Sequence, residues 1–354
     1  MSPSLVTSRR QFLKTSMIAG CGLLAPAATW ALPFESPRYR QERSQVGLAA
    51  GEDRAANIFN ALKPFSEEIK QKIGDKQIVI KPNNVSISSQ LSATHVESLT
   101  GILEFLQSIG KTNYVIAESA ASGPTLEGFD NYGYTTLEKP YKVKFVDLDA
   151  RDSQIVHVVS DKDFYPHPVR MSKLLLDPDT FLISAAVMKT HDRVVATLSL
   201  KNIVFGAPIK DAGFRWGSGG KKDAKNDKPI AHGGGYRGVN FNLFALADRL
   251  HPDLAVIDGY QGMEGNGPVG GTPVEHRVAV ASTDWLAADR TGIELMGIDF
   301  NNVGYLNYCA AAGMGQADLS MIDVLGADIQ SNQRKYKLSD SVERQLIWKE
   351  PFEI

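Results

Sequence analysis

Two lysines and a histidine lie close together near the middle of the chain, directly after its most apolar segment. Lys189 and His191 follow the run TFLISAAV of residues 180–187, and Lys201 comes ten residues after His191, with Asn202 beside it. A lysine against an apolar wall can have its pKa lowered toward neutrality and can then act as a base, nucleophile or cofactor attachment point. Histidine is a common proton shuttle or metal ligand. The alternative is that Lys201 extends to solvent and His191 satisfies a backbone carbonyl.

A glycine-rich, basic segment without apolar periodicity follows at residues 206–238. His232 precedes three glycines, and Arg237 lies near the end of the segment. Loops of this length inside a compact domain are usually functional or disordered. The segment, called the lid segment below, therefore predicts a mobile cover that favours an anionic substrate, with His232 as an acid/base group or metal ligand and Arg237 as a substrate contact. The alternative is a solvated insertion.

A second glycine-rich stretch, residues 258–268, holds two carboxylates and an asparagine after an apolar run. It matches neither the dinucleotide-binding nor the Walker phosphate loop, because the glycine spacing of the first and the G-K-[ST] ending of the second are missing. We predict a loop around a bound group, with Asp258 as a metal ligand and Glu264 and Asn266 as substrate contacts. A structural turn is the alternative.

Alternating apolar runs and helical patterns must position these residues. The predicted strands are residues 77–81, 114–118, 142–148, 180–187, 254–258 and 278–282, and the predicted helices are 96–110, 241–250 and 285–296. This order predicts an α/β fold with a mostly parallel, doubly wound sheet, in one elaborated body or two lobes. Ligands of such sheets lie beyond the carboxyl ends of the strands. Lys81 and Asn83, which follow the first strand, are therefore candidate substrate-orienting groups in a strand-end cleft, together with Asn202.

The N-terminus resembles an export signal. Residues 8–14 read SRRQFLK, and an uncharged apolar run covers residues 17–31. This pattern predicts recognition by the twin-arginine translocation machinery and a periplasmic or secreted protein. Cleavage after Ala31 is expected; the alternatives are lipidation at Cys21, an uncleaved anchor, or a chance arginine pair. The run is too short and too rich in glycine, alanine and proline for a stable membrane span.

Composition limits the remaining possibilities. The net charge of -2 argues against a nucleic-acid-binding protein, because such proteins usually carry an excess of basic residues. The sequence contains no C-x-x-C, H-E-x-x-H or G-x-S-x-G pattern, so no iron–sulfur cluster is expected. We divide the chain into a signal at 1–31, a lead-in and first helix at 32–75, an α/β domain at 76–330 and a C-terminal extension at 331–354. Residues 33–54 of the lead-in are expected to be poorly ordered.

Several of these motifs together resemble the bacterial and archaeal domain of unknown function 362 family. They are K-P-N at residues 81–83, K-T-H at 189–191, T-L-S-L-K-N at 197–202, D-L-A-V-I-D-G at 253–259, M-E-G-N-G-P at 263–268 and A-S-T-D at 281–284. Many members of that family carry ferredoxin-like cysteine motifs, which this chain lacks. The resemblance implies no particular reaction.

The order and spacing of His191, Lys201 and His232 are similar to those of the nickel-pincer lactate racemase family. That similarity implies Lys201 as a cofactor anchor, the two histidines as ligands, and a metal or nickel-pincer-like cofactor. Together these patterns predict an enzyme that transfers protons or isomerises a small polar or anionic substrate. The alternative is a non-catalytic periplasmic ligand-binding or scaffold protein.

Overall fold

The computed structural model describes residues 42–159 and 165–350. In chain order, the strands are β1 (Ser44–Ala50), β2 (Gln77–Lys81), β3 (Tyr114–Glu118), β4 (Lys144–Asp147), β5 (Ser153–Val159), β6 (Pro166–Ser172), β7 (Thr180–His191), β8 (Val195–Thr197), β9 (Leu254–Asn266), β10 (Gly270–Ser282) and β11 (Ile322–Gly326). The α-helices are α1 (Arg54–Leu62), α2 (Ser66–Ile73), α3 (Val96–Ser108), α4 (Thr125–Asn131), α5 (Glu138–Tyr141), α6 (Lys173–Leu176), α7 (Ser199–Val204), α8 (Lys228–Ala231), α9 (Gly235–Ala247), α10 (Trp285–Leu295), α11 (Gly304–Ala311), α12 (Ile329–Asn332) and α13 (Val342–Gln345).

The main sheet has the strand order β11-β1-β10-β9-β7-β2-β3-β4, with β8 paired to β7. The five strands from β9 to β4 run parallel to one another, whereas β10 is antiparallel to both β9 and β1. Strand β7 lies inside the parallel part, and all of its residues are buried. The predicted mostly parallel α/β sheet is therefore confirmed.

Both faces of the sheet are covered, because alternate side chains of each strand point to opposite sides. On β2, Val79 packs into one hydrophobic core, while Ile78 and Ile80 pack into the other. Helices α1 to α3 contribute to the second core, and α7, α9 and α10 contribute to the first. This arrangement is the predicted doubly wound one, and all described residues fall in a single compact unit.

Two sequence-based predictions are wrong in the sheet region. Part of the expected disordered lead-in, Ser44–Ala50, forms strand β1 between β10 and β11. The expected loop 258–268 is largely the continuation of β9, which pairs with β10 as a long hairpin. Its glycines make room for neighbours: a side chain at Gly262 would overlap the Tyr336 hydroxyl, and one at Gly267 would overlap the Thr190 carbonyl. Close packing, not a ligand loop, explains the glycine density here.

The lid segment contains more regular structure than its sequence indicates. Helix α8 and the start of α9 lie within it, and Lys210 forms a β-bridge with Asn226. Lys221 and Lys222, in its middle, are exposed. The expected export signal and its alternative lipidation site lie outside the described residues. In the described ranges, no helix is both long and apolar enough to cross a membrane.

Candidate functional site

A small cavity lined by many polar side chains lies where β2, β3 and β7 reach their carboxyl ends. Lys81 is the last residue of β2, Glu118 of β3, and His191 of β7. The lining consists of Lys81, Asn83, Asn84, Val85, Glu118, Ser119, Ala121, His191, Thr197, Lys201, Asn202, Phe205, Gly206, Lys228, His232 and Pro268. The cavity holds about 100 Å³. This volume is well below the roughly 300–1,000 Å³ of pockets for drug-sized ligands, so the cavity suits only a small molecule.

Lys81 and Glu118 form a buried ion pair in the wall of this cavity. Lys81 Nζ lies 2.9 Å from both Glu118 carboxylate oxygens and donates to Asn202 Oδ1 at 3.2 Å. The remaining lone pairs of Glu118 accept the backbone N–H groups of Asn84 and Ser119. Because each ion has several partners, this pair meets the condition under which buried charges are tolerated.

Glycine at position 206 is required for the path of the Lys81 side chain. A Cβ atom at Gly206 would overlap both Lys81 Cε and the backbone oxygen of Asn202. Neither atom can move easily, since the Lys81 amine is bound to Glu118 and Asn202 lies in α7. The absence of a side chain at Gly206 thus leaves room for the Lys81 side chain next to the backbone at this position.

Asn83 connects the cavity to a second buried lysine. Its amide nitrogen donates to Asn202 Oδ1 at 3.2 Å, and its Oδ1 accepts from Lys189 Nζ. Lys189 Nζ also donates to the Ser92 carbonyl at 2.9 Å. Burial lowers the pKa of Lys189 to about 7, and the charges of Lys201 and Lys81 act in the same direction. Lys189 therefore contacts the lining of the cavity through its hydrogen bond to Asn83.

Helix α7, which presents Lys201 and Asn202, is held at its first turn by Asp289. The Asp289 carboxylate accepts the backbone N–H of Ser199 at 2.8 Å and that of Leu200 at 3.1 Å. These are two of the four N–H groups that the start of a helix leaves without intrahelical partners. Asp289 is fully buried on α10, and burial raises its pKa to about 7. A carboxylate 88 residues away in sequence from Lys201 thus fixes the orientation of the lysine helix.

Lys201 is the lysine in the cavity wall with the fewest partners. Its side chain is buried, and its amine lies over the Phe205 ring at 5.4 Å from the centroid. In the described ranges the amine makes no hydrogen bond or ion pair. Burial lowers the pKa of Lys201 to about 7, with the charges of Arg193 and Lys81 adding to the effect and that of Asp192 opposing it.

His191 is a buried, neutral imidazole. Burial lowers its pKa to about 3, and the nearby charge of Lys201 lowers it as well. Its Nδ1 accepts the backbone N–H of Arg193 at 3.0 Å, and the half-exposed Asp192 carboxylate lies 3.1 Å from the same atom. Because the backbone N–H cannot turn away, Nδ1 of the neutral ring is the acceptor and Nε2 carries the hydrogen. His191 can therefore donate a hydrogen bond from Nε2.

His232 has the complementary tautomer. It caps α8, and its Nδ1 lies 2.8 Å from the Lys228 carbonyl oxygen, so Nδ1 carries the hydrogen and Nε2 the free lone pair. Burial lowers the pKa of His232 well below 6.5, again with Lys201 contributing. Its ring packs on Phe205 with centroids 4.3 Å apart. One neutral donor and one neutral acceptor thus line the same cavity.

Comparison with known proteins identifies the family. The family model described as Domain of unknown function (DUF362) matches residues 78–294. The chain belongs to this family. The family resemblance expected from the motifs is thereby confirmed, and the whole described lining of the cavity lies inside the DUF362 region.

A curated relative and two solved structures are similar over part of the chain. Thylakoid-associated protein sll1697 of Synechocystis sp. is 26% identical over 230 residues, which cover 64% of this chain and 65% of that protein. The lactate racemase apoprotein from Thermoanaerobacterium thermosaccharolyticum is 13% identical with a TM-score of 0.42, over 73% of this chain and 58% of that chain. A Thermotoga maritima crystal structure is 11% identical with a TM-score of 0.36, over 63% and 54% of the two chains. Structural similarity this low carries no argument about function.

The structure brings together many of the residues singled out by sequence. Lys81, Asn83, His191, Lys201, Asn202 and His232 line one cavity, with Lys189 directly behind Asn83. Their chemical roles remain predictions.

The structure does not bring the other four candidates to this cavity. Asp258 accepts from Ser98 and lies 3.4 Å from Arg54 Nε, while Glu264 accepts the backbone N–H of Lys337. Asn266 bonds to Asp340 and Ser339, and Arg237 donates to the Ile347 carbonyl. The physical reason is the same for Glu264 and Asn266: β9 continues past Asp258 and carries both residues away toward the C-terminal segment.

Two residues that help to build the cavity were not singled out by the sequence. Lys228 is one of several basic residues of the lid segment, yet it is buried, and its amine donates to the Gly206 and Pro208 carbonyls. Gln345 accepts the Val195 N–H at 2.6 Å and donates to the His191 carbonyl at 3.1 Å. Such a long-range contact leaves no local sequence signal.

Proposed function

We propose that this cavity binds a small anion and that Lys201, His191 and His232 transfer protons to and from a carbon next to oxygen. The observation that supports the proposal is the lining itself. The described lining contains three lysines, Lys81, Lys201 and Lys228, but one carboxylate, Glu118. Two neutral histidines of opposite tautomer, His191 and His232, complete the wall. Positive charge held in a low-dielectric cavity attracts anions, and a donor and acceptor in one cavity permit proton exchange.

Each residue has a role in this proposal. Lys81 and Lys228 supply the positive field that holds the substrate carboxylate, and Asn83 orients it. Lys201 or His232 removes a proton from the substrate carbon, because both present a lone pair at neutral pH. His191 Nε2–H donates to the substrate oxygen. A lysine whose pKa is lowered to about 7 suits proton transfer at neutral pH.

A bare metal ion does not fit the residues present. Within residues 42–159 and 165–350, no three His, Cys, Asp or Glu side chains are arranged to hold a metal. Catalytic zinc sites usually take three such ligands. The lysines around His191 and His232 would also repel a cation.

An organometallic group of ordinary cofactor size does not fit this cavity. Sites for cofactors and drug-sized ligands enclose roughly 300–1,000 Å³, whereas this cavity holds about 100 Å³. No step of the proposed reaction is therefore assigned to a metal or an organometallic cofactor.

Hydrogen–deuterium exchange at carbon tests the proposal. The full chain is incubated in D₂O with a panel of small 2-hydroxy and 2-oxo acids, and proton NMR follows loss of the C–H signals. We expect exchange with the wild type and its loss in Lys201→Met and His232→Gln.

His251→Gln is the matched control for the histidine. His251 Nδ1 lies 2.8 Å from the Ala247 carbonyl, the same contact that His232 makes with Lys228, but His251 is not part of the cavity lining. Its substitution should leave exchange unchanged. Anion binding without exchange for any acid would show a binding protein instead of an enzyme, and neither binding nor exchange would refute the proposal entirely.

We also infer export through the twin-arginine machinery, because S-R-R-x-F-L-K precedes an uncharged apolar run. Replacing both Arg9 and Arg10 by lysine should retain the protein in the cytoplasm. Unchanged export of this variant would contradict the inference.

A further inference from the structure

The lining of the cavity changes in character from the interior to the mouth. The four charged side chains of the described lining are all buried, with none more than 7% exposed: Lys81, Glu118, Lys201 and Lys228. The described lining residues that are partly exposed carry no charge at neutral pH; they are Asn83, Val85, Ala121, Gly206, His232 and Pro268. A ligand that enters therefore meets the charged groups only after it has passed an uncharged mouth.

Two apolar residues of this mouth lie side by side. Val85 follows β2, and Ala121 follows the neighbouring strand β3. The backbone N–H of Ala121 donates to the Asn84 carbonyl at 3.0 Å, so the two segments are joined at the cavity. Both side chains are partly exposed and belong to the lining.

A third apolar residue comes from a distant part of the chain. Pro268 lies in the turn between β9 and β10. The carbonyl of the preceding Gly267 accepts the backbone N–H of Asp192 at 2.9 Å, which holds this turn beside the end of the strand that carries His191. Val85, Ala121 and Pro268 are called the apolar rim below.

The interior and the rim favour different parts of a ligand. The buried lysines attract an anion. The apolar rim gains free energy when another apolar group covers it. A hydroxyl or a charged group in the same place would lose water without finding a hydrogen-bond partner among the three rim side chains. The cavity therefore fits a molecule with an anionic end and an apolar end.

We propose that the substrate is a small monocarboxylic acid whose carboxylate lies among the buried lysines and whose apolar substituent lies against Val85, Ala121 and Pro268. This proposal rests on the proposed function and deepens it by naming the substrate class. Acids with an alkyl substituent are preferred to acids with a polar substituent, such as sugar acids. Val85 and Ala121 are then residues that determine specificity.

Calorimetric titration of the full chain with three 2-hydroxy acids tests this preference. The probes are glycolate and the racemates of 2-hydroxybutyrate and glycerate. The last two differ in a terminal methyl group against a hydroxyl group of similar size. We expect 2-hydroxybutyrate to bind about tenfold more tightly than glycerate, because the hydroxyl loses water at the rim. Each carbon added to glycolate should strengthen binding by up to about fourfold.

A double variant changes the polarity of the rim with little change in its shape. Val85→Thr and Ala121→Ser each add a hydroxyl group, and together they should reduce the tenfold preference for 2-hydroxybutyrate over glycerate to about threefold or less. Val269→Thr is the matched control, since Val269 follows Pro268 but is 47% exposed and is not part of the described lining. Its preference should equal that of the wild type. Because two ligands are compared on one protein, a loss of folded material cancels from the ratio.

The results separate this proposal from the proposed function. Glycerate that binds the wild type as tightly as 2-hydroxybutyrate, or a preference that is unchanged in the double variant, would overturn the assignment of the rim and leave anion capture by the lysines in place. Absence of binding for all three acids would refute both proposals.

Discussion

Removing the Lys201 amine should change how the stability of the fold depends on pH. Burial lowers the pKa of Lys201 to about 7, whereas a lysine in an unfolded chain has a pKa of about 10.4. Between these two values the unfolded chain binds a proton here that the folded chain does not. Unfolding therefore takes up a proton, and the contribution of Lys201 to the free energy of unfolding increases as pH rises through this window.

The size of the effect follows from the two pKa values. At pH 7 the shift disfavours the folded state by about 4 kcal/mol, and at pH 9 by about 2 kcal/mol. Methionine has a similar length to lysine and no amine, so Lys201→Met removes this dependence. The stability gained by the substitution should therefore shrink by about 2 kcal/mol between pH 7 and pH 9.

Urea unfolding of wild type and variant at both pH values measures this difference directly. Lys189 and Lys228 also have lowered pKa values of about 7, but they are present in both proteins and largely cancel. Lys221→Met, at an exposed position of the lid segment, is the control and should give curves parallel to the wild type. A stability difference between Lys201→Met and wild type that is constant with pH, or that grows with pH, would refute the burial of Lys201 as described.

Two further substitutions test how the site is positioned. Gly206→Ala should lower the free energy of unfolding by about 1–3 kcal/mol, a typical cost of overpacking, and should abolish anion binding measured by calorimetry; unchanged binding would show that Lys81 has another path. Gln345→Ala should leave the Val195 N–H and the His191 carbonyl without their partners and cost about 1–3 kcal/mol. The ¹⁵N NMR signals of the His191 ring should then report a mixture of tautomers, whereas Gln333→Ala, in the same C-terminal segment, should leave them unchanged.

The sequence was sufficient to predict the strands and helices that form the parallel part of the sheet. Their apolar runs are long and contrast sharply with the polar residues around them, so the pattern at residues 180–187 indicated the buried centre of β7 directly. Strand β1 was missed because its sequence, SQVGLAA, is only partly apolar and is interrupted by a glycine. Its stability comes from pairing with β10 and β11, which follow more than 200 residues later.

The same distinction applies to the site. Lys81 and His191 could be predicted because each ends a parallel strand, and the carboxyl ends of parallel strands lie at one edge of the sheet. Lys201 follows His191 closely in sequence and is carried back to the same edge by α7. Asp289 and Gln345 could not, because each acts through backbone groups of a segment that is distant in sequence: the N–H groups of α7, and the turn at Val195. Val195 has φ of 66°, which is rare for a β-branched residue and is maintained by surroundings that only the folded chain supplies.

Anion capture at this cavity should weaken as pH rises. Capture uses the ammonium form of the lysines, so acetate, whose own charge is constant in this range, should bind about tenfold more weakly at pH 8 than at pH 6 if one amine of pKa about 7 must be protonated. Acetate binding that strengthens as pH rises would contradict capture by the lysine charges.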